Sequence, residues 1–407
     1  MLVSTQELKL AGVTLRPALT HVKAVKAFPS CLSHLFAFNI LSIALKFPGD
    51  SNPIGMVMNL PTLRATQALD PVTCVNRALR SLFDFALLVC LCGCWLQAQD
   101  YPKAEISNGL IHAEIMLPDS QNGSYRGTRF DWSGVISSLT FDGHEYFGRW
   151  YEHHDPKIHD AITGPVEEFR TNDKGLGYDE AKPGDTFVRI GVGTVRKPDE
   201  PAYRAYDTYD IVDPGKWTIR EHKDRIEFTQ RLKSEQGYAY IYRKTLRLVK
   251  GKPELLIEHS LKNTGQKTID TTQYNHNFFV IDHEVVGPDV VVKFVFTPVA
   301  TRGFKDRAEI HEHEIVFPHE LQGKNGVFSE LTGSRPDVQD YDFRVENLKS
   351  GAGVHITSDQ PLDTVNFWAI RTVAAVEPYI HLKIDPGHEA RWTIRYDFYT
   401  LSPASEK

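Results

Sequence analysis

Histidines and carboxylates gather in four stretches of this chain, and their spacing bears on acid–base chemistry. Read as a β-strand, DTTQYNHNFFVID (270–282) puts Thr272, Tyr274, His276, Phe278 and Val280 on one face. Gln273, Asn275, Asn277 and Phe279 fall on the other. A strand that only packs carries Val or Ile at such positions. An imidazole between Tyr274 and Phe278 instead suits a sugar-binding wall. Aromatic faces meet C–H surfaces, and the His titrates near neutrality. The competing reading is a half-buried His bonded to a backbone carbonyl. Asn275 and Asn277 then satisfy polar groups of neighbouring strands on the opposite face. YEHHDPKIHD holds His153, His154, Asp155, His159 and Asp160, at spacings that fit no standard ligand set, so no metal is assigned. EIHEHEIVFPHE places His311 and His313 on one face of an exposed edge strand, with Glu312 and Glu314 on the other. GPVEEF carries an adjacent acidic pair, Glu167 and Glu168. The domain has no nucleophile elbow, phosphate loop or dinucleotide fingerprint, and no cofactor is implied.

The elements that must position these groups are strands. In ARWTIRYDFYTL, Trp392, Ile394, Tyr396 and Phe398 alternate with Arg391, Thr393, Arg395 and Asp397. DRIEFTQRLK and PELLIEHSLKN repeat the pattern, and VVVKFVFTPV is apolar on nearly both faces, as a central strand is. KGKPE, KNTGQK, DPGK and DPGHE punctuate the runs as turns. No long amphipathic helix and no fixed repeat interrupt them. The pattern predicts an all-β domain over 100–407, a large antiparallel β-sandwich rather than a propeller. Residues 150–205, rich in Gly, Pro and charge, predict long loops over one end of the sheets, where sites tend to lie.

Composition narrows the partners. The net charge of −6 is mild, and no basic stripe with interleaved aromatics argues for nucleic acid. All five cysteines lie at or before Cys94, so the sandwich domain has neither disulfide nor thiolate metal site. A domain of this size needs no disulfide. In RALRSLFDFALLVCLCGCWLQAQD, Arg77 and Arg80 precede an apolar run too short to span a membrane, and small residues follow near Ala98. Residues 77–99 therefore read as a signal peptide. LCGC loosely resembles a lipobox, which makes a lipid anchor at Cys94 the alternative. Residues 1–76 read as a non-native or unstructured N-terminal extension. The mature protein is then periplasmic or secreted, with no membrane span.

Three segments, in order, resemble the galactose mutarotase-like (aldose 1-epimerase) superfamily. YRGTRFDWSGVISSLTFDGHEYF is similar to its opening strands. YIYRKTLRLVKGKPELLIEHSLKNTGQKTIDTTQYNHNFF is similar to its central segment, with an N-T-G turn and then N-H-x-x-F. VEPYIHLKIDPGHEARWTIRYDF is similar to its closing segment, a Glu before a strand and a P-G turn. The resemblance spans roughly residues 104–401. It implies a twisted antiparallel super-sandwich with a carbohydrate ligand on its concave face. It also implies that His276 is the general acid and Glu377 the general base of anomer exchange.

The chain departs from the family in places. The usual H-G-G is missing, and His159 in KIHDAITGPVEEF is its nearest candidate. Arg149 in YFGRWYE is the candidate for the sugar-contacting arginine. Glu167 and Glu168 are not a feature of simple galactose mutarotases. These four residues, with Tyr274 and Phe278, are the expected substrate-binding set. Two other classes compete with the isomerase: a non-catalytic carbohydrate-binding protein, and a lyase or other sugar-modifying enzyme on the same sandwich, since a fold does not fix a reaction. A lyase requires a Tyr or Lys base and groups that neutralise a uronate carboxylate.

Overall fold

The structure, a computed structural model, describes residues 101–401 and, within the first 98, the strands Leu8–Leu10, Val13–Pro17, Leu41–Lys46 and Ile54–Met58. The chain divides into two compact units, Met1–Ala98 and Gln99–Lys407. In the first, the four strands pair antiparallel in chain order. The rest of 1–76, and the 77–99 segment with its Cys94, lie outside the described residues.

The second unit is the expected all-β, large antiparallel sandwich. Its only helical pieces among the described residues are two single 3-10 turns, Ile281–His283 and Val338–Asp340. No described helix is long and apolar enough to cross a membrane. A ten-stranded sheet runs from Lys216–Glu221 at one edge to Glu309–His311 at the other. A six-stranded sheet runs in the order Val299–Ala300, Val327–Thr332, Thr364–Ile370, Val373–Ile384, Ile269–Phe278, Gly164–Arg170. Every neighbouring pair in it is antiparallel.

Alternation builds the core between these sheets. Ile257, Leu261, Ile394 and Tyr396 of the larger sheet join Ile269, Phe367, Val376 and Ile380 of the smaller in one buried cluster. Burying this apolar area is the main stabilising term of the unit. The apolar run at 290 behaves as its sequence predicts. Val290–Phe294 lies inside the ten-stranded sheet, between Asp342–Asn347 and Glu314–Val316.

Two expectations change. Residues 150–205 are not all loop, because they contain Gly164–Arg170, an edge strand of the smaller sheet. They also supply Thr186–Arg189 and Gly193–Arg196 of a three-stranded sheet. The edge strand starts at a glycine for a steric reason. Gly164 has φ +83°, and a Cβ there would lie 2.8 Å from the Ile136 carbonyl oxygen. EIHEHEIV is likewise not one strand. It folds as a hairpin of Glu309–His311 and Glu314–Val316, turning at Glu312 with φ 54°. His311 ends the first strand, and His313 lies in the turn.

Candidate active site

The outer face of the six-stranded sheet carries a row of polar and aromatic side chains. Period-two alternation puts Tyr274, His276 and Phe278 there from one strand, and Glu377 and Tyr379 from the next. Asn366 and Trp368 follow from the third strand, Glu168 and Arg170 from the edge strand. Register aligns them, with Tyr274 opposite both Tyr379 and Glu168, and Asn366 opposite Glu377. The result is an open cleft with a cavity volume of about 220 Å³.

His276 and Glu377 meet in this cleft. His276 Nε2 stands 3.1 Å from Glu377 Oε1, with side chains 5% and 6% exposed. Burial pushes the Glu377 carboxyl up to about 7, against the opposing pull of the Arg129 and Arg170 charges and of its hydrogen bond with Asn366. Burial drives His276 well below its ordinary value, and Arg129 adds to the effect. Below neutrality the pair therefore holds one proton, on the carboxyl rather than the imidazole, and the carboxyl releases it near 7. The aromatic frame fixes the imidazole plane. Phe278 stacks on it at 3.9 Å, and Phe130 and Trp368 meet it edge-on at 5.7 and 5.4 Å. Trp150 stacks on the other ring of that pair, Phe278, at 5.1 Å.

Glu168 anchors the far end of the cleft. Its Oε2 accepts from Arg129 Nε and Arg170 Nη2, each at 3.1 Å, and from the Tyr274 hydroxyl at 2.6 Å. Its Oε1 accepts from Arg189 Nη2 at 3.0 Å. Burial alone would raise this carboxyl, but the Arg170, Arg129 and Arg189 charges hold it far below the usual carboxylate range. Arg129 also donates to the Tyr274 hydroxyl at 3.0 Å, and Tyr274 stacks on Tyr379 at 4.3 Å.

Of the residues expected to bind substrate, Tyr274, Phe278, Glu168 and His159 are brought together here with His276 and Glu377. Phe278 and His159 line the cleft itself. His159 sits at the mouth, its Nε2 3.6 Å from Asp160 Oδ2 and its ring 4.9 Å from that of Tyr206. Burial lowers its pKa, the nearby Asp160 opposing. Glu167 is not in the cleft. Adjacent residues of a strand face opposite ways, so Glu167 points into the sandwich, where it meets His259, Lys244, Tyr242 and Asn275. Arg149 is not in the cleft either. Its Nε donates to the Tyr151 carbonyl at 3.0 Å in an exposed turn.

Sequence reasoning missed Arg129, Arg170, Asn366, Trp368 and Tyr379, all of which line the cleft. Period two would have found Arg170 from Glu168, and Tyr379 from Glu377. Nothing local marks Arg129, which sits on the loop before Val135–Phe141 and is held there by backbone bonding of Asp131 N to the Glu167 carbonyl at 2.8 Å. Asn275 and Asn277 do satisfy interior groups. Asn275 Nδ2 donates to Glu167, Asn277 Nδ2 to the Val376 carbonyl, and Tyr396 to Asn277 Oδ1. Among the described residues, no group of three or more His, Cys, Asp or Glu is disposed to hold a metal ion.

No family model matches the sequence, and no curated protein matches it. The chain is similar to solved structures of galactose mutarotase-like proteins. One is a galactose mutarotase-like protein from Lactobacillus casei, at 14% identity over 73% of this chain and 100% of that one, TM-score 0.45. A galactose mutarotase related enzyme from Lactobacillus acidophilus shares 14% identity over 75% of this chain and 100% of that one, TM-score 0.45. An aldose epimerase homologue from C. elegans shares 14% over 74% and 100%, TM-score 0.43. Likeness at this level assigns the chain no activity.

Proposed function

We propose that this protein is a sugar isomerase that exchanges the anomers of an aldose by general acid–base catalysis. The observation that carries this reading is the contact of His276 Nε2 with Glu377 Oε1 at 3.1 Å in an aromatic-walled cleft. Ring opening takes a proton from the C1 hydroxyl and gives one to the ring oxygen. These two oxygens share the anomeric carbon, so the acid and the base act side by side rather than across the ring. A pair that holds one proton between two touching groups meets that requirement.

Of the two groups, Glu377 holds the proton. The carboxyl then gives it to the ring oxygen as His276 accepts the hydroxyl proton, which leaves an imidazolium beside a carboxylate. Rotation about C1–C2 and the reverse transfers close the other anomer. The resemblance implies the opposite starting roles, with His276 as acid. Both forms carry the same number of protons and differ only in which partner holds it. Trp368, Trp150 and Phe278 supply apolar surface for the ring's C–H face. Polarimetry or exchange NMR of a freshly dissolved pure anomer tests the proposal. A protein that binds a sugar and leaves its anomers unexchanged would make it a binding protein instead.

A second reading draws on Arg129, Arg170, Tyr274 and Tyr379 at the other end of the cleft. A uronate lyase needs cations on the carboxylate to acidify the adjacent C–H, and a tyrosine to take that proton while the C4–O bond breaks. Ultraviolet absorbance of an unsaturated uronate product would favour it. Export rests on the 77–99 segment, and N-terminal sequencing of protein recovered from its host tests it, a start near Met1 counting against export.

A further inference from the structure

Three guanidinium groups meet one carboxylate at the end of this cleft. Arg129, Arg170 and Arg189 all pair with Glu168, whose side chain is 1% exposed. Arg189 is otherwise held by neutral acceptors, the Thr128 carbonyl and the Tyr203 hydroxyl, each at 2.9 Å. Arg129 and Arg170 line the cleft itself, with side chains 9% and 19% exposed. Charge removed from water needs a partner, and here the partners run short. Glu168 offsets one of three positive charges, while Asp160, at the mouth, pairs with His159 and is 38% exposed. Asp173 stands 3.9 Å from Arg170 but is 92% exposed, so water screens it. Glu377 touches His276 rather than either arginine, and it adds negative charge only when ionised.

An independent observation points the same way. Arg170 Nε, an N–H that only donates, is buried with no acceptor among the described residues. Sugar hydroxyls would leave the surplus charge uncompensated. A carboxylate or phosphate accepts from guanidinium groups in pairs and neutralises them.

We propose that the cleft takes a sugar bearing an anionic group, a carboxylate or a phosphate, and that Arg129 and Arg170 bind that group. The proposal rests on reading the cleft as a sugar site. Tyr274, which both arginines contact, lies two strand residues from His276. That is about 7 Å along a strand. The anionic group therefore sits at the end of the ring away from the anomeric carbon, which faces His276 and Glu377.

Titration calorimetry of the full chain tests this, with glucose and galactose, their uronates, their 6-phosphates, and inorganic phosphate. An anionic sugar should bind about 10- to 100-fold tighter than its neutral parent, the worth of a charge-assisted hydrogen bond. The advantage should shrink as salt is added. Uronate or sugar phosphate, whichever binds tighter, identifies the anion. Arg170→Gln should remove most of the advantage, with Arg129 and Arg189 left to pair Glu168. Neutral sugars binding as tightly as both anionic forms would overturn the proposal whether or not the variant folds. If those neutral sugars also exchange anomers, the isomerase reading survives alone. Preferential binding of an anionic sugar without exchange sinks the isomerase reading and keeps this one. Binding of no sugar at all overturns both.

Discussion

Glu167 and Glu168 are consecutive in the chain and belong to different layers of the molecule. Glu168 faces the cleft and three arginines. Glu167 faces the sandwich interior, where His259 Nε2 stands 2.8 Å and Lys244 Nζ 3.2 Å away. The Tyr242 hydroxyl reaches it at 3.0 Å, and Lys244 also lies 3.4 Å from Asp131. Two charged clusters thus stand back to back across a single strand. Both carboxylates are fully desolvated, so each is tied to its cations. Removing one partner of such a set leaves an uncompensated buried charge.

Glu168→Ala should therefore destabilise the domain by about 3–5 kcal/mol, the usual cost of breaking a buried ion pair. Urea unfolding at pH 7 measures it. A loss under 1 kcal/mol would mean that water or a rearranged side chain takes over the carboxylate's place among the arginines.

Glu167 predicts a pH dependence. Burial would raise its pKa, but His259 and Lys244 bring it down to about 2 from 4.5. A depressed carboxylate gives stability that is present above its unfolded value and lost as pH falls through its folded one. About 3 kcal/mol should disappear between pH 4.5 and 2 in the wild type. Glu167→Gln, less stable at pH 7, should show a flatter curve over that interval. Parallel curves for the two proteins would remove Glu167 as the cause.

Glu377 carries the opposite sign. Its folded value is raised to about 7 from 4.5. Its stabilising contribution is complete below 4.5 and is lost as pH climbs through 7. Glu377→Gln cannot ionise and should escape that loss. Relative to wild type it should gain up to about 3 kcal/mol between pH 4 and pH 8. Unfolding at those two pH values decides, and a difference that stays constant would place the raised value elsewhere.

Arg149→Ala should leave sugar affinity unchanged, because its guanidinium is engaged by a neighbouring carbonyl outside the cleft. The same calorimetric titration reads this out, and a tenfold loss would bring Arg149 back into the site.

What the sequence disclosed follows from the range of each signal. Period-two alternation is local, and it correctly placed Tyr274, His276 and Phe278 on one face and the two asparagines on the other. The same rule separates Glu167 from Glu168, so treating them as one acidic pair overrode the signal that divides them. Arg129 was out of reach, because it comes to Glu168 from a loop 39 residues earlier in the chain. Only the fold brings them together. Arg149 was expected in the site as the counterpart of the family's sugar-contacting arginine, although loop direction rather than place in the chain decides where a side chain ends.

The last prediction concerns the pair that defines the proposed reaction. His276→Asn and Glu377→Gln are near-isosteric, so packing should change little while proton transfer is lost. Each should lower kcat by about 10²- to 10⁴-fold, the usual worth of a positioned acid or base. The double variant should be little slower than the worse single one, since both groups serve one transfer. The pH profile carries the sharper test. The active form holds one proton on the pair, and Glu377 loses it near 7. kcat/KM should therefore be flat at mildly acid pH and fall about tenfold per unit above neutrality. A second proton reaches His276 only well below its ordinary value, so the acid limb should lie well under that value. Exchange NMR of a pure anomer across pH, with circular dichroism as the folding control, measures all of this. A rate that rises with pH through neutrality would mean that the ionised carboxylate acts without a stored proton. Near wild-type rates in either single variant would take that residue out of the chemistry.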